Sequence, residues 1–188
     1  MPDFTLTSAP PLAGYDKSFA DLRLTSPADL ALVSLALPLG GEDAAQKAIK
    51  SAYGAALPVP GKSVSAKDGA RLVRLGLDAG MVIFTHATPD AERVVAARLG
   101  GAVYTTDQTD VWTGLELSGP TARAALERIC PLDLHDSAFA VNDAARTAME
   151  HLGVLIIRTG QDSFLLLSAS SSAGSFLHAV ETSIENTI

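Results

Sequence analysis

Apolar and polar positions along the chain fall into a sequence of short runs, and their order predicts the elements. "LALVSLALPL" (30–39) reads as a buried strand, "GGEDAAQKAIKSAYG" (40–54) as a helix and "ALPVPGKSVSAKDG" (56–69) as a Pro/Gly loop. "ARLVRLGLDAGMVIFTH" (70–86) has two strand runs around Gly76 to Gly80, the pattern of a hairpin. "TPDAERVVAARLG" (88–100) reads as a helix with Thr88 as its N-cap, and "AVYTT" (102–106) as a short strand. The same order then restarts. "VWTGLELS" (111–118) is a strand, "GPTARAALERI" (119–129) a helix, "VLIIRTGQDSFLLLSAS" (154–170) a hairpin and "SSAGSFLHAVETSI" (171–184) a last helix.

Superposing the halves tests the restart. The stretch from Ala31 aligns with that from Val111 without a gap, placing Leu35 on Leu115, Leu37 on Leu117, Ala45 on Ala125 and Ile49 on Ile129. In the hairpins, Arg74, Gly76 and Asp78 align with Arg158, Gly160 and Asp162. The chain reads as a duplicated β-α-β-β-α unit, with residues 29–106 and 107–188 as the two subdomains. Gly76 and Gly160 are expected at positive φ, with Asp78 and Asp162 capping the turns and the arginines pairing with them or with solvent. The alternative is an arginine pair that holds an anionic ligand. Residues 1–28 contain four prolines and no sustained period, which suits an arm laid along a surface and dependent on a partner.

Composition narrows the classes. At 188 residues and 47% hydrophobic, the chain has ample apolar content for a core without staples. A formal charge of −7 argues against a nucleic-acid partner, and no run approaches the length of a membrane span. Asp3, Asp16 and Asp21 occupy a start with no basic segment leading into an apolar block, so the protein is expected to be soluble and cytoplasmic.

Motifs for chemistry are sparse. Cys130 is the only cysteine, closes an apolar helix face in "ERICPLDL", and reads as a small buried hydrophobe rather than a nucleophile. His86, His135, His151 and His178 lack the spacing that sets two ligands on one metal. There is no Gly-x-Ser-x-Gly elbow, dinucleotide fingerprint or phosphate-binding loop. Ser118, Gly119 and Pro120 form an ordinary helix start, and Ser171 or Ser172 is placed to cap the last helix. No catalytic, cofactor-binding or metal-binding residue is assigned. Trp112 shares a strand face with Gly114, Glu116 and Ser118, opposite Thr113, Leu115 and Leu117. On that more polar face, beside Asp107 and Asp110, it reads as an interface anchor contacting a larger partner, or else as a cover for a core edge.

The stretches "DQTDVWTGLELSGPTARAALERICPLDL" and "ARTAMEHLGVLIIRTGQDSFLLLSASSSAGSFLHAV" closely resemble the gamma subunits of heterotetrameric sarcosine oxidase. The resemblance covers about residues 30 to 185. It implies an α+β architecture with mixed or antiparallel sheets, distantly similar to the folate-binding fold of the glycine-cleavage aminomethyltransferase. It further implies a non-catalytic small subunit, assembled with alpha, beta and delta subunits. That complex oxidatively demethylates sarcosine to glycine, releases hydrogen peroxide and passes one carbon to tetrahydrofolate. FAD, FMN, NAD, tetrahydrofolate and zinc would then belong to the partner subunits, with no cofactor in this chain. A stand-alone folate-binding transferase and a subunit of a related N-methyl amine oxidase complex are the other readings. A tRNA-modifying relative would need a Lys-Gly-Cys-Tyr type loop, which is absent.

Overall fold

Strands and helices follow the apolar runs, with more strands than the runs alone predict. The computed structural model describes residues 9–188, so the first part of the expected arm, residues 1–8, lies outside the described residues. The elements are β1 (Asp16–Phe19), β2 (Leu22–Thr25), β3 (Leu30–Ala36), α1 (Glu42–Tyr53), β4 (Lys62–Ser65), β5 (Arg71–Arg74), β6 (Ala79–Thr85), α2 (Ala91–Leu99) and β7 (Tyr104–Asp107). They continue as β8 (Trp112–Ser118), α3 (Ala122–Glu127), β9 (Ala144–Met149), β10 (Leu152–Gly160), β11 (Ser163–Ala169) and α4 (Ala173–Glu185).

These strands form two antiparallel sheets, ordered β1-β2-β8-β11-β10-β9 and β4-β5-β6-β3-β7. The orders β4-β5-β6-β3 and β9-β10-β11-β8 are equivalent, as the internal alignment requires. Each unit is β-α-β-β-β-α, one strand longer than its apolar runs indicate. The extra strands β4 and β9 sit in "KSVS" and "AARTAM", where polar or small residues interrupt the apolar signal. Both pair fully with one neighbour only, so little of their surface needs to be apolar.

Alternate positions on the central strands are buried on opposite sides. Val33 and Leu35 on β3, Leu72 on β5 and Val82 on β6 pack with Ala45, Ile49 and Val95 of α1 and α2. Leu115 and Leu117 on β8, Ile156 on β10 and Leu166 on β11 pack with Ala125 and Leu126 of α3 and Phe176 and Val180 of α4. The intervening Leu32, Val73, Met81 and Ile83 meet Leu155, Ile157, Leu165 and Leu167 between the sheets. The result is four layers, helices, sheet, sheet, helices. Burial on both faces is why "VLII" and "FLLL" are continuous apolar runs without alternation.

Residues 16–25 correct the expectation of a surface arm. They form the β1–β2 hairpin, and β2 pairs antiparallel with β8 through Arg23 with Ser118, Leu24 with Leu117 and Thr25 with Glu116. Phe19, Leu22 and Leu24 are buried in the helix-facing core. Tyr15 Oη donates to Glu181 at 2.7 Å and Lys17 Nζ to the same carboxylate at 2.9 Å, fastening the hairpin to α4. This segment takes beside β8 the place that β7 takes beside β3. Its polar strands become buried through a partner strand about 90 residues away, which no local pattern reveals.

The expected caps also differ. α2 begins after Asp90, to whose carboxylate the Thr88 hydroxyl donates at 2.5 Å, so Thr88 anchors the preceding loop instead of capping the helix. α3 begins after Thr121 and α4 after Ser172, neither with a side-chain capping bond, and Ser172 Oγ donates to Ala169 O at 3.1 Å. Ser118 is the last residue of β8.

Candidate subunit interface

The entry to β8 is built by backbone ties to β3. After β7, Asp107 Oδ1 accepts the Thr109 N–H at 2.8 Å, which turns the chain into one turn of 3₁₀ helix, Thr109–Val111. The Gln108 N–H donates to Leu32 O at 2.8 Å, and the Leu32 N–H donates to Thr109 Oγ1 at 3.2 Å. Asp110 O accepts from Ser170 Oγ at 2.7 Å, tying the turn to the end of β11. Trp112 follows, its ring packed against the core between the sheets.

Trp112 therefore lies on the strand face that meets the other sheet, at the rim of that layer. Neighbouring Gly114 leaves room there, since a Cβ would come within 2.7 Å of Leu30 Cδ2. The exposed edge of the tryptophan joins Val111, Arg146, Thr147, Gly153, Val154 and Ala169 around an open groove of about 280 Å³. Trp112 Nε1 is buried from solvent and, among the described residues, has no hydrogen-bond partner. A buried unpaired donor costs on the order of 1–3 kcal/mol, so the ring is held there by its packing. Asp107 and Asp110 are both exposed, and among the described residues neither carboxylate meets a cation.

The paired hairpin turns carry a matching device. Arg74 Nε donates to Gly76 O at 3.1 Å and Nη1 to Pro58 O at 3.3 Å, while Nη2 donates to Leu77 O. Arg158 repeats this: Nε to Gly160 O at 3.4 Å, Nη1 to Phe139 O at 2.7 Å and Nη2 to Gln161 O at 2.5 Å, with Asp136 Oδ1 added at 2.7 Å. Each guanidinium ties its own turn to a loop some 16 to 19 residues upstream. Neither Gly76 nor Gly160 has positive φ. The turn aspartates act through their backbone, Asp78 O accepting from Leu37 N at 2.8 Å and Asp162 O from Gly119 N at 2.9 Å. With their N–H groups directed at carbonyls, the arginines do not form a fork open to an anion. The spacing of Arg, Gly and Asp is thus a sign of the repeat, with different chemistry from that expected.

The other singled-out side chains are dispersed. Cys130 is buried in the helix-facing core, and burial pushes its thiol above the ordinary value. His86 Nε2 lies 2.7 Å from Asp90 and 2.8 Å from Thr88, and His135 Nδ1 lies 2.8 Å from Ser137 Oγ. His151 sits at positive φ in the β9–β10 turn and His178 beside Arg128 and Glu150 on the α3–α4 surface. Among the described residues no three His, Cys, Asp or Glu side chains gather as a metal site, and no helix is long and apolar enough to cross a membrane.

No protein-family model matches the chain. Glycine cleavage system aminomethyltransferase T from Bartonella henselae is similar in structure, with a TM-score of 0.63 and 18% identity over 86% of this chain and 45% of that one. The architecture is therefore the α+β fold with antiparallel sheets that this aminomethyltransferase shares. Heterotetrameric sarcosine oxidase from Corynebacterium sp. U-96 contains a chain that matches with a TM-score of 0.77 and 26% identity, over 88% of this chain and 85% of that one. Sarcosine oxidase subunit gamma from an Arthrobacter species is 36% identical over 125 residues, 66% of this chain. The match spans 62% of that relative's length. The chain is a homologue of sarcosine oxidase gamma subunits.

Proposed function

We propose that this chain is a non-catalytic gamma subunit of a sarcosine oxidase complex, with a role in assembly. The observation that carries the reading is the likeness to the sarcosine oxidase chain, which extends over 88% of this one. Its alpha, beta and delta partners hold FAD, FMN, NAD and tetrahydrofolate, and the complex works in the cytoplasm. Trp112, flanked by Asp107 and Asp110, contacts a larger subunit. The open groove beside the Trp112 ring supports that assignment.

The test is purification of the tagged full chain from its native cells grown on sarcosine, with a flavin absorption spectrum and mass spectrometry of co-eluting chains. A yellow complex that oxidises sarcosine supports the proposal. A yellow complex inactive on sarcosine but active on another N-methyl amine points to a related oxidase. A colourless chain that eluted alone and bound tetrahydrofolate on titration would overturn it in favour of a stand-alone folate-binding protein. In the same preparation, Trp112→Ala should reduce flavin recovered per tagged chain at least tenfold, as loss of a buried aromatic anchor does. Its melting temperature should change by only a few degrees. Unchanged recovery would remove Trp112 from the interface.

A further inference from the structure

Among the described residues four strands lie at sheet edges, β1 and β9 in one sheet and β4 and β7 in the other. β9 is the longest of them, six residues against four in each of the others. In an antiparallel strand, successive residues turn their N–H and C=O groups alternately to one neighbour and to the other. Arg158 N donates to Asp143 O at 2.9 Å, on the β10 side, and Ala144 N donates to Gly61 O at 2.9 Å, on the outer side. β9 then follows β10 in unbroken register from Ala144 to Met149, so Arg146 and Ala148 also present their backbone groups outward. Both residues are exposed. Among the described residues their N–H groups and the Arg146 carbonyl have no partner, and the Ala148 carbonyl receives only the Thr147 hydroxyl at 3.5 Å.

The fold itself shows that this edge accepts a strand. Where β9 begins, Lys62 bridges to Asp143 and Ser63 N donates to Asn142 O at 2.7 Å, so β4 pairs with the first residues of the edge. That pairing stops at Gly61. The turn closed by Lys62 N and Val59 O leads the chain back to Arg74, which holds the Pro58 carbonyl, and to Gln46 of α1, which holds Leu57. Edge strands are ordinarily blunted by proline, a bulge or a charge. "AARTAM" has neither proline nor bulge, and its one charged side chain, Arg146, borders the Trp112 groove. That groove runs from Trp112 past Ala169 and Gly153 to Arg146 and Thr147, so the strand edge and the proposed partner contact are one continuous surface. Arg146 makes no ion pair among the described residues.

From this edge and groove we infer that the larger subunit contributes an extended segment that pairs with β9 and adds a strand to the six-stranded sheet. Its main chain bonds Arg146 and Ala148, an acidic side chain on it meets the Arg146 guanidinium, and an apolar one lies in the groove against Trp112. An open strand edge is matched by an extended chain, since a helix uses its own N–H and C=O groups internally. The inference rests on the proposed complex and names the form in which its partner meets the Trp112 surface.

The experiment uses the tagged full chain in its native cells. Ala148→Pro removes an outward N–H and sets a ring against the incoming strand while the bonds from β9 to β10 remain, a change that edge strands tolerate. Flavin recovered per tagged chain should fall on the order of tenfold, and Ala148→Ser, which keeps the N–H, should recover as wild type does. Arg146→Glu should lower recovery on the order of tenfold as well, by setting like charges together. Hydrogen exchange needs no variant: in the purified complex the Arg146 and Ala148 amides should be protected, and in the isolated full chain they should exchange freely. Unchanged exchange, or wild-type recovery by both Ala148→Pro and Arg146→Glu, would overturn the added strand while leaving the proposed complex intact. Failure of wild type itself to capture the flavin subunits would overturn the complex, and the inference with it. If light scattering found the isolated chain dimeric, and Ala148→Pro monomeric with full flavin recovery, β9 would pair with β9 of a second copy and the assignment to a larger subunit would be wrong.

Discussion

Arg158→Met should cost about 3 kcal/mol of folding stability and lower the melting temperature by roughly 6–12 °C, the largest loss expected from any single polar side chain here. Arg158 is 2% exposed, and its guanidinium satisfies the carbonyls of Phe139, Gly160 and Gln161 together with Asp136. Methionine fills most of the volume but leaves these acceptors unpaired where water has little access. Arg158→Lys should rescue little, because one ammonium cannot reproduce a planar fork that spans three carbonyls and a carboxylate. Arg74→Met is the internal control. Its side chain makes the corresponding bonds but is only partly buried, so water can replace it and the cost should be about 1 kcal/mol. Equal losses from the two arginines in calorimetry would contradict this account. The Arg158 guanidinium holds the Asp136 carboxyl below its ordinary range. A depressed carboxylate stabilises the fold at pH above its unfolded value, and that contribution disappears as pH falls through the folded value. Wild type should therefore lose more stability on acidification than Arg158→Met does.

How much could be read from the sequence depends on where each signal arises. The duplication was legible because both units keep the same strand, helix and hairpin runs, and because the turn arginines recur at one spacing. Sheets packed on both faces were present in "VLII" and "FLLL", although a continuous run does not distinguish a strand between two layers from a buried helix segment. β4, β9 and the β1–β2 hairpin were not legible. Their short, polar or proline-flanked segments become strands because a neighbouring strand presents an edge, and that neighbour can be about 90 residues away. Alternation correctly grouped Trp112 with Gly114, Glu116 and Ser118, yet it says only which residues share a face. That the face meets a second sheet is a tertiary fact.

Gly119→Ala should be comparably severe, and its damage should be local. Gly119 has φ +129°, which a residue with a Cβ reaches only with strain of about 1–3 kcal/mol. The added methyl would also stand 2.2 Å from Asp21 O and 3.0 Å from Leu22 Cδ2. Backbone cannot yield that distance without moving the β1–β2 turn as a unit. The displaced hairpin carries Phe19, Leu22 and Leu24 out of the helix-facing core and loosens the pairing of Leu24 with Leu117. Native-state hydrogen exchange should show lost protection across residues 16–25 and at the end of β8, with β3, β5 and β6 unchanged. Gly153→Ala is the contrasting substitution. Gly153 has an ordinary φ, and a methyl added there would meet nothing within 4 Å, so alanine should be neutral or stabilising by about 0.5 kcal/mol. If Gly119→Ala instead loosened both sheets alike, the hairpin would be part of one cooperative unit with the first repeat. If it loosened neither, the close approach of Asp21 would be relieved by a small shift, and the contact of the β1–β2 turn with Gly119 would be softer than its geometry implies.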